Sequence, residues 1–120
     1  MAEMTNHKGG CHCGKVRYEA SVDLGSIIAC NCSICTKAGL YVTFTKASNF
    51  KLISGKDDLK DYQFGKKWIH HLHCTNCGVE SFARGDMPSD GTPMVAVNVR
   101  CLDDIDLDSL TLTPYDGKSL

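Results

Sequence analysis

"CTNCG", residues 74–78, sets two cysteines on either side of two residues and follows them with a glycine. That spacing lets a tight turn aim both sulfurs at one ion, about 2.3 Å from each. Gly78 permits the backbone conformation that closes such a turn and lets amide N–H groups approach the sulfurs. A turn of this kind supplies half of a tetrahedral site. "CHCG", residues 11–14, has the same cysteine-then-glycine ending and offers the other half. Together Cys11, Cys13, Cys74 and Cys77 make a closed four-thiolate zinc site that would clip an N-terminal strand to a late one. With no open position, its expected role is structural. The competing reading is two unrelated turns carrying free thiols.

A second group lies between them. "CNCSIC", residues 30–35, brings Cys30, Cys32 and Cys35 into one short stretch. Three thiolates fill three corners of a tetrahedron and leave the fourth exchangeable, the mark of a reactive zinc. Three thiolates also over-neutralise a divalent ion, so the zinc is a weak Lewis acid and activates water poorly. A soft, thiolate-rich centre is better suited to holding another thiol deprotonated for attack on an electrophile. Two other readings stay open. The set is a second structural zinc completed by Cys101 or by one of His70, His71 and His73, or it is three unmetallated thiols.

The compartment supports metal over disulfides. The start, "MAEMTNHKGG", has no charged region leading into an apolar one, and no apolar run approaches the roughly 18 residues of a membrane span. The expected location is the cytoplasm, where thiols stay reduced and eight cysteines read as ligands. The formal net charge of −1 across 120 residues lacks the basic footprint of a nucleic-acid binder. No nucleic-acid or membrane partner is expected, and oligomeric state is not legible.

The rest of the chain reads as β. In "KVRYEASV", residues 15–22, Val16, Tyr18 and Ala20 alternate with Lys15, Arg17 and Glu19, as in a half-buried strand. "YVTFT" (41–45), "FKLISG" (50–55) and "LKDYQFG" (59–65) are further candidates. "PMVAVNVRCL" (93–102) reads as a central strand with Pro93 at its start. "KWIHHLHC" (67–74) puts Trp68, His70 and Leu72 on one face and Ile69, His71 and His73 on the other, so the three histidines do not meet one ion. Trp68 is expected in the core or in a pocket wall, and His12 is expected to point away from the metal. "CSICTKAG" (32–39) allows one short helical turn. Lys66, Lys67, Arg84 and Arg100 are candidate receivers of a carboxylate. The expectation is one domain over residues 1–120, with its core at about 9–105. Strands this short would close poorly on apolar burial alone, and metal staples suit that case.

In order along the chain, "GGCHCGKVRYE", "CNCSICTKAG", "HCTNCGVESF" and "NVRCLDD" resemble the glutathione-dependent formaldehyde-activating enzyme family, which is shared with centromere protein V. Several of these stretches look closer to the centromere-protein-V branch. The resemblance implies a mostly β, Mss4-like fold of several short antiparallel sheets around zinc. It implies two zinc ions per chain, one structural at Cys11, Cys13, Cys74 and Cys77 and one catalytic at Cys30, Cys32 and Cys35. The implied activity is a carbon–sulfur lyase joining glutathione to formaldehyde or a similar small carbonyl. The alternative is a non-enzymatic zinc-binding interaction module or glutathione carrier.

Overall fold

The computed structural model describes residues 4–65, 67–86 and 90–117; Lys66, one of the candidate carboxylate receivers, lies outside them. The chain is mostly β. Strands β1 (Thr5–Gly10), β2 (Arg17–Val22) and β5 (Phe50–Ser54) form a three-stranded sheet in the order β1-β2-β5. The second sheet takes in β3 (Ile27–Cys30), β4 (Val42–Lys46), β6 (Leu59–Tyr62), β7 (Ile69–Cys74), β8 (Phe82–Asp86), β9 (Pro93–Asn98) and β10 (Leu112–Tyr115). Its order is β10-β3-β4-β9-β8-β7-β6. Pairing is antiparallel except where β10 runs parallel to β3, with Tyr115 opposite Cys30. One short helix, α1 (Ser33–Ala38), follows β3 and ends at Gly39 in the left-handed region.

The alternation in β2 does what the sequence asks of it. Tyr18, Ala20 and Val22 turn inward, and their neighbours lie at intermediate exposure. They meet residues of the other sheet, Leu72, Phe82, Val95 and Val97, in one core. Tyr18, Phe50 and Phe82 form an aromatic cluster with centroid separations of 5.0, 5.7 and 4.6 Å. Burying a side chain of this size contributes about 1.5–3 kcal/mol. The Tyr18 hydroxyl, out of water, donates to the Ser81 carbonyl at 3.1 Å and so ties the two sheets together.

That contact lies close in sequence to the cysteines. β1 runs straight into Cys11, and the turn that carries Cys13 leads into β2. β7 ends at Cys74, and the 74–78 turn returns the chain toward β8. The packing that joins the sheets therefore also brings the two cysteine turns together.

Candidate metal centres

The Cys11, Cys13, Cys74 and Cys77 sulfurs all lie within 4.8 Å of one another. Cys13 Sγ stands 3.6 Å from both Cys11 Sγ and Cys74 Sγ. A tetrahedral ion with sulfurs at about 2.3 Å has edges of about 3.8 Å, so the donors fit zinc. Backbone N–H groups face the sulfurs: Val16 donates to Cys11 Sγ at 3.3 Å, and Asn76 and Cys77 donate to Cys74 Sγ at 3.4 and 3.5 Å. Gly78, at φ 79°, donates its N–H to the Cys74 carbonyl at 2.9 Å, a closure that a side-chain-bearing residue makes only under strain.

These donors also set the thiol acidities. The Val79 N–H, followed by a backbone contact from Cys13, draws the Cys77 thiol down to about 6. Cys13 is lowered chiefly by the Asn76 side chain. Cys11, which is buried, is raised by desolvation. Metal binding requires thiolates, and this set mixes two thiols whose acidity is raised with two, Cys11 and Cys74, that the fold buries.

The second set, Cys30, Cys32 and Cys35, also has its sulfurs within 4.8 Å of one another, and all three residues are partly exposed. No other Cys, His, Asp or Glu among the described residues joins it. Cys30 closes β3, Cys32 stands at the N-terminal cap of α1, and Cys35 lies within the helix. The Cys32 N–H donates to Cys30 Sγ at 3.4 Å. Burial pushes the Cys32 thiol up, but the Cys35 backbone and side chain, Cys30 and the Ile34 backbone outweigh it and the thiol is lowered overall. Burial, reinforced by Cys32 and Cys30, pushes Cys35 strongly up.

The profile described as glutathione-dependent formaldehyde-activating enzyme matches residues 6–114. The chain belongs to that family. A solved structure of a Rhodobacter sphaeroides protein is similar to it at 28% identity, with a TM-score of 0.79 over 90% of this chain and 98% of that one. The chain thus carries two cysteine groups able to hold metal, on a mostly β fold.

The remaining candidates of this family member fall elsewhere. The Cys101 thiol joins neither set. Asn98 Nδ2 lies 3.5 Å from it, and burial first, then the Cys11 charge, raises it to about 11. The histidines diverge. His70 pairs with Asp61 at 2.5 Å, while His71 pairs with Glu80 at 3.0 Å. His73 lines a cleft, and His12 is exposed. Trp68 is 46% exposed and walls a second, smaller cleft beside Arg84, so it is not in the core. Arg100 stands over the Tyr41 ring, 5.1 Å from its centroid. Lys67 and Arg84 are exposed.

Two features escape sequence reasoning. The backbone after β10 crosses the three-cysteine set: the Asn31 N–H donates to the Tyr115 carbonyl at 3.1 Å, and Asn31 Nδ2 to Asp116 Oδ1 at 2.9 Å. A Cβ on Gly117 would stand 2.5 Å from Cys30 Sγ. The other feature is Glu80, a carboxylate whose side chain is only 9% exposed. Nothing in "CGVES" separates it from an ordinary surface acid.

Proposed function

We infer that the protein is a zinc-dependent enzyme of the carbon–sulfur lyase type, joining a small thiol, glutathione, to formaldehyde or a similar small carbonyl. The observation that carries this is the contrast in donor count. One cysteine set is complete with four sulfurs, and the other gathers three with no fourth Cys, His, Asp or Glu among the described residues. Membership of the glutathione-dependent formaldehyde-activating enzyme family supplies the substrate pair.

Cys11, Cys13, Cys74 and Cys77 would hold the structural ion, and Cys30, Cys32 and Cys35 would hold the reactive one. Zinc in the latter supplies a soft acceptor that favours the deprotonated form of an incoming thiol. The residues do the rest. The opening of α1 lowers the Cys32 thiol, and the 30–35 segment gathers three sulfurs within 4.8 Å of one another, one donor short of a tetrahedral set. The thiol sulfur forms a bond to the carbonyl carbon, the C=O π pair moves to oxygen, and the proton released by the thiol ends on that oxygen. Bringing two small reactants together in one place is itself a large part of the rate gain. Within the family, "CNCSIC", "NFKLISG", "HCTNCGVESF" and "RCLDD" support the centromere-protein-V-like branch, and a cytoplasmic setting agrees with eight reduced cysteines.

Exchange spectroscopy by NMR, following formaldehyde and glutathione into S-hydroxymethylglutathione, tests the reading. Zinc-loaded protein is expected to accelerate the exchange, and Cys32→Ser to return it to the uncatalysed rate. An acceleration that survives Cys32→Ser, or none in the unaltered protein, overturns it.

A further inference from the structure

An open cleft of about 470 Å³ lies between α1 and the 74–78 turn, in the size range of small-molecule sites. Ile34 and Ala38, one helical turn apart on α1, form its apolar wall. Tyr62, His73, Cys77 and Glu80 supply the polar side. Ile34 sits between Cys32 and Cys35 in sequence, so the cleft wall and the three-cysteine set share the same helix.

Glu80 is held there from both ends. Its carbonyl accepts from Asn98 Nδ2 at 3.0 Å, and its carboxylate Oε2 lies 3.0 Å from His71 Nδ1. A carboxylate only accepts, so the imidazole N–H donates. His71 is fixed in turn by Phe64, stacked on it at 5.5 Å, and Phe64 by Tyr62 at 5.8 Å. The result is a carboxylate nine-tenths removed from water that nonetheless lines an open cleft. An anion so placed is costly unless a cationic donor meets it. His71 reaches one oxygen. Among the described residues that line the cleft there is no lysine or arginine to meet the other.

We propose that this cleft binds the ammonium group of the thiol substrate, with Glu80 as its anchor, a reading that rests on the thiol chemistry inferred above. The substrate class is then an amino-acid-type thiol: its sulfur goes to the three-cysteine set, its ammonium to Glu80, and the chain between them lies along Ile34 and Ala38. A simple alkyl thiol lacks the second contact.

Calorimetric titration of the zinc-loaded protein with glutathione and with glutarylcysteinylglycine, which is glutathione without its amino group, tests this directly. Glutathione is expected to bind at least about tenfold more tightly, the worth of one hydrogen bond to a charged group. Glu80→Gln is expected to remove that preference while leaving the binding of the deaminated tripeptide unchanged. Equal binding of the two tripeptides by the unaltered protein overturns the proposal, as does a Glu80→Gln variant that retains its zinc and weakens both equally. The tripeptide comparison on unaltered protein stands even if the variant fails to fold. S-methylglutathione, which keeps the ammonium and lacks a free thiol, separates the two readings. If it binds with the same dependence on Glu80, the cleft site stands whatever becomes of the thiol chemistry. Binding that requires the free thiol but ignores the ammonium leaves the chemistry intact and removes the cleft site.

Discussion

The two cysteine sets differ most in how much chain each one ties together. Cys11 and Cys13 belong to the first turn of the fold and Cys74 and Cys77 to a late one, so an ion held by them would join the end of β1 to the end of β7, across the core that Tyr18 and Phe82 fill. Cys30, Cys32 and Cys35 lie on one short stretch running from β3 into α1, and their ion would tie that stretch only to itself. The first set is complete and has two buried cysteines, Cys11 and Cys74; the second has three partly exposed ones. Closing a long loop and completing a coordination shell serve stability, whereas a local set one donor short serves exchange.

The sharpest way to break the comparison is to remove one ligand from each set. Cys74→Ser should cost more than about 3 kcal/mol, because the metal's binding energy there is folding energy. Thermal denaturation with zinc analysis would show loss of cooperative unfolding together with the ion. Cys32→Ser should lower the zinc content by one ion and move stability by only about 1 kcal/mol. Equal destabilisation by the two would erase the distinction.

A smaller effect sharpens it. Gly117→Ala places a methyl group where Cys30 Sγ already sits, so the sulfur must move. Displacing one ligand in this way should weaken zinc at the three-cysteine set by about ten- to a hundredfold, as loss of an outer-shell support does. Competition with a chromogenic chelator reads this directly, and the four-cysteine ion should be unaffected. An unchanged affinity would mean that the segment after β10 does not press on the site.

Smallest of all is the expected effect of Cys101→Ala. Burial raises this thiol to about 11, which keeps it protonated near neutral pH, and it belongs to neither set. Both ions should stay, with a stability loss of about 1 kcal/mol from the lost packing. A variant that loses an ion would make Cys101 a ligand after all.

What was legible in the sequence was local. Metal-ligand spacing is written in a few consecutive residues, and the structure gathers the same four and the same three sulfurs that the spacing grouped. The alternation of Val16, Tyr18 and Ala20 likewise marks β2 without outside help. Other strands carry no such mark. β1 is polar and ends in two glycines, with only those glycines buried, and β10 is an exposed strand interrupted by Pro114. Each is fixed by its neighbour rather than by its own pattern. The alternation in "KWIHHLHC" placed the histidines on opposite faces. It said nothing of the burial of His71 beside Leu72, because β7 lies inside the large sheet with β6 and β8 on either side. Glu80 and Gly117 matter only through what the fold sets against them, a histidine for one and a cysteine sulfur for the other.

The most direct measurement is zinc release under native conditions, with chelator absorbance and circular dichroism followed on the same sample. The expected result is two phases: one ion leaves quickly with the β signal unchanged, and the other leaves slowly, in step with unfolding. Release of both ions together, and only as the fold is lost, would contradict the division into one structural and one reactive centre.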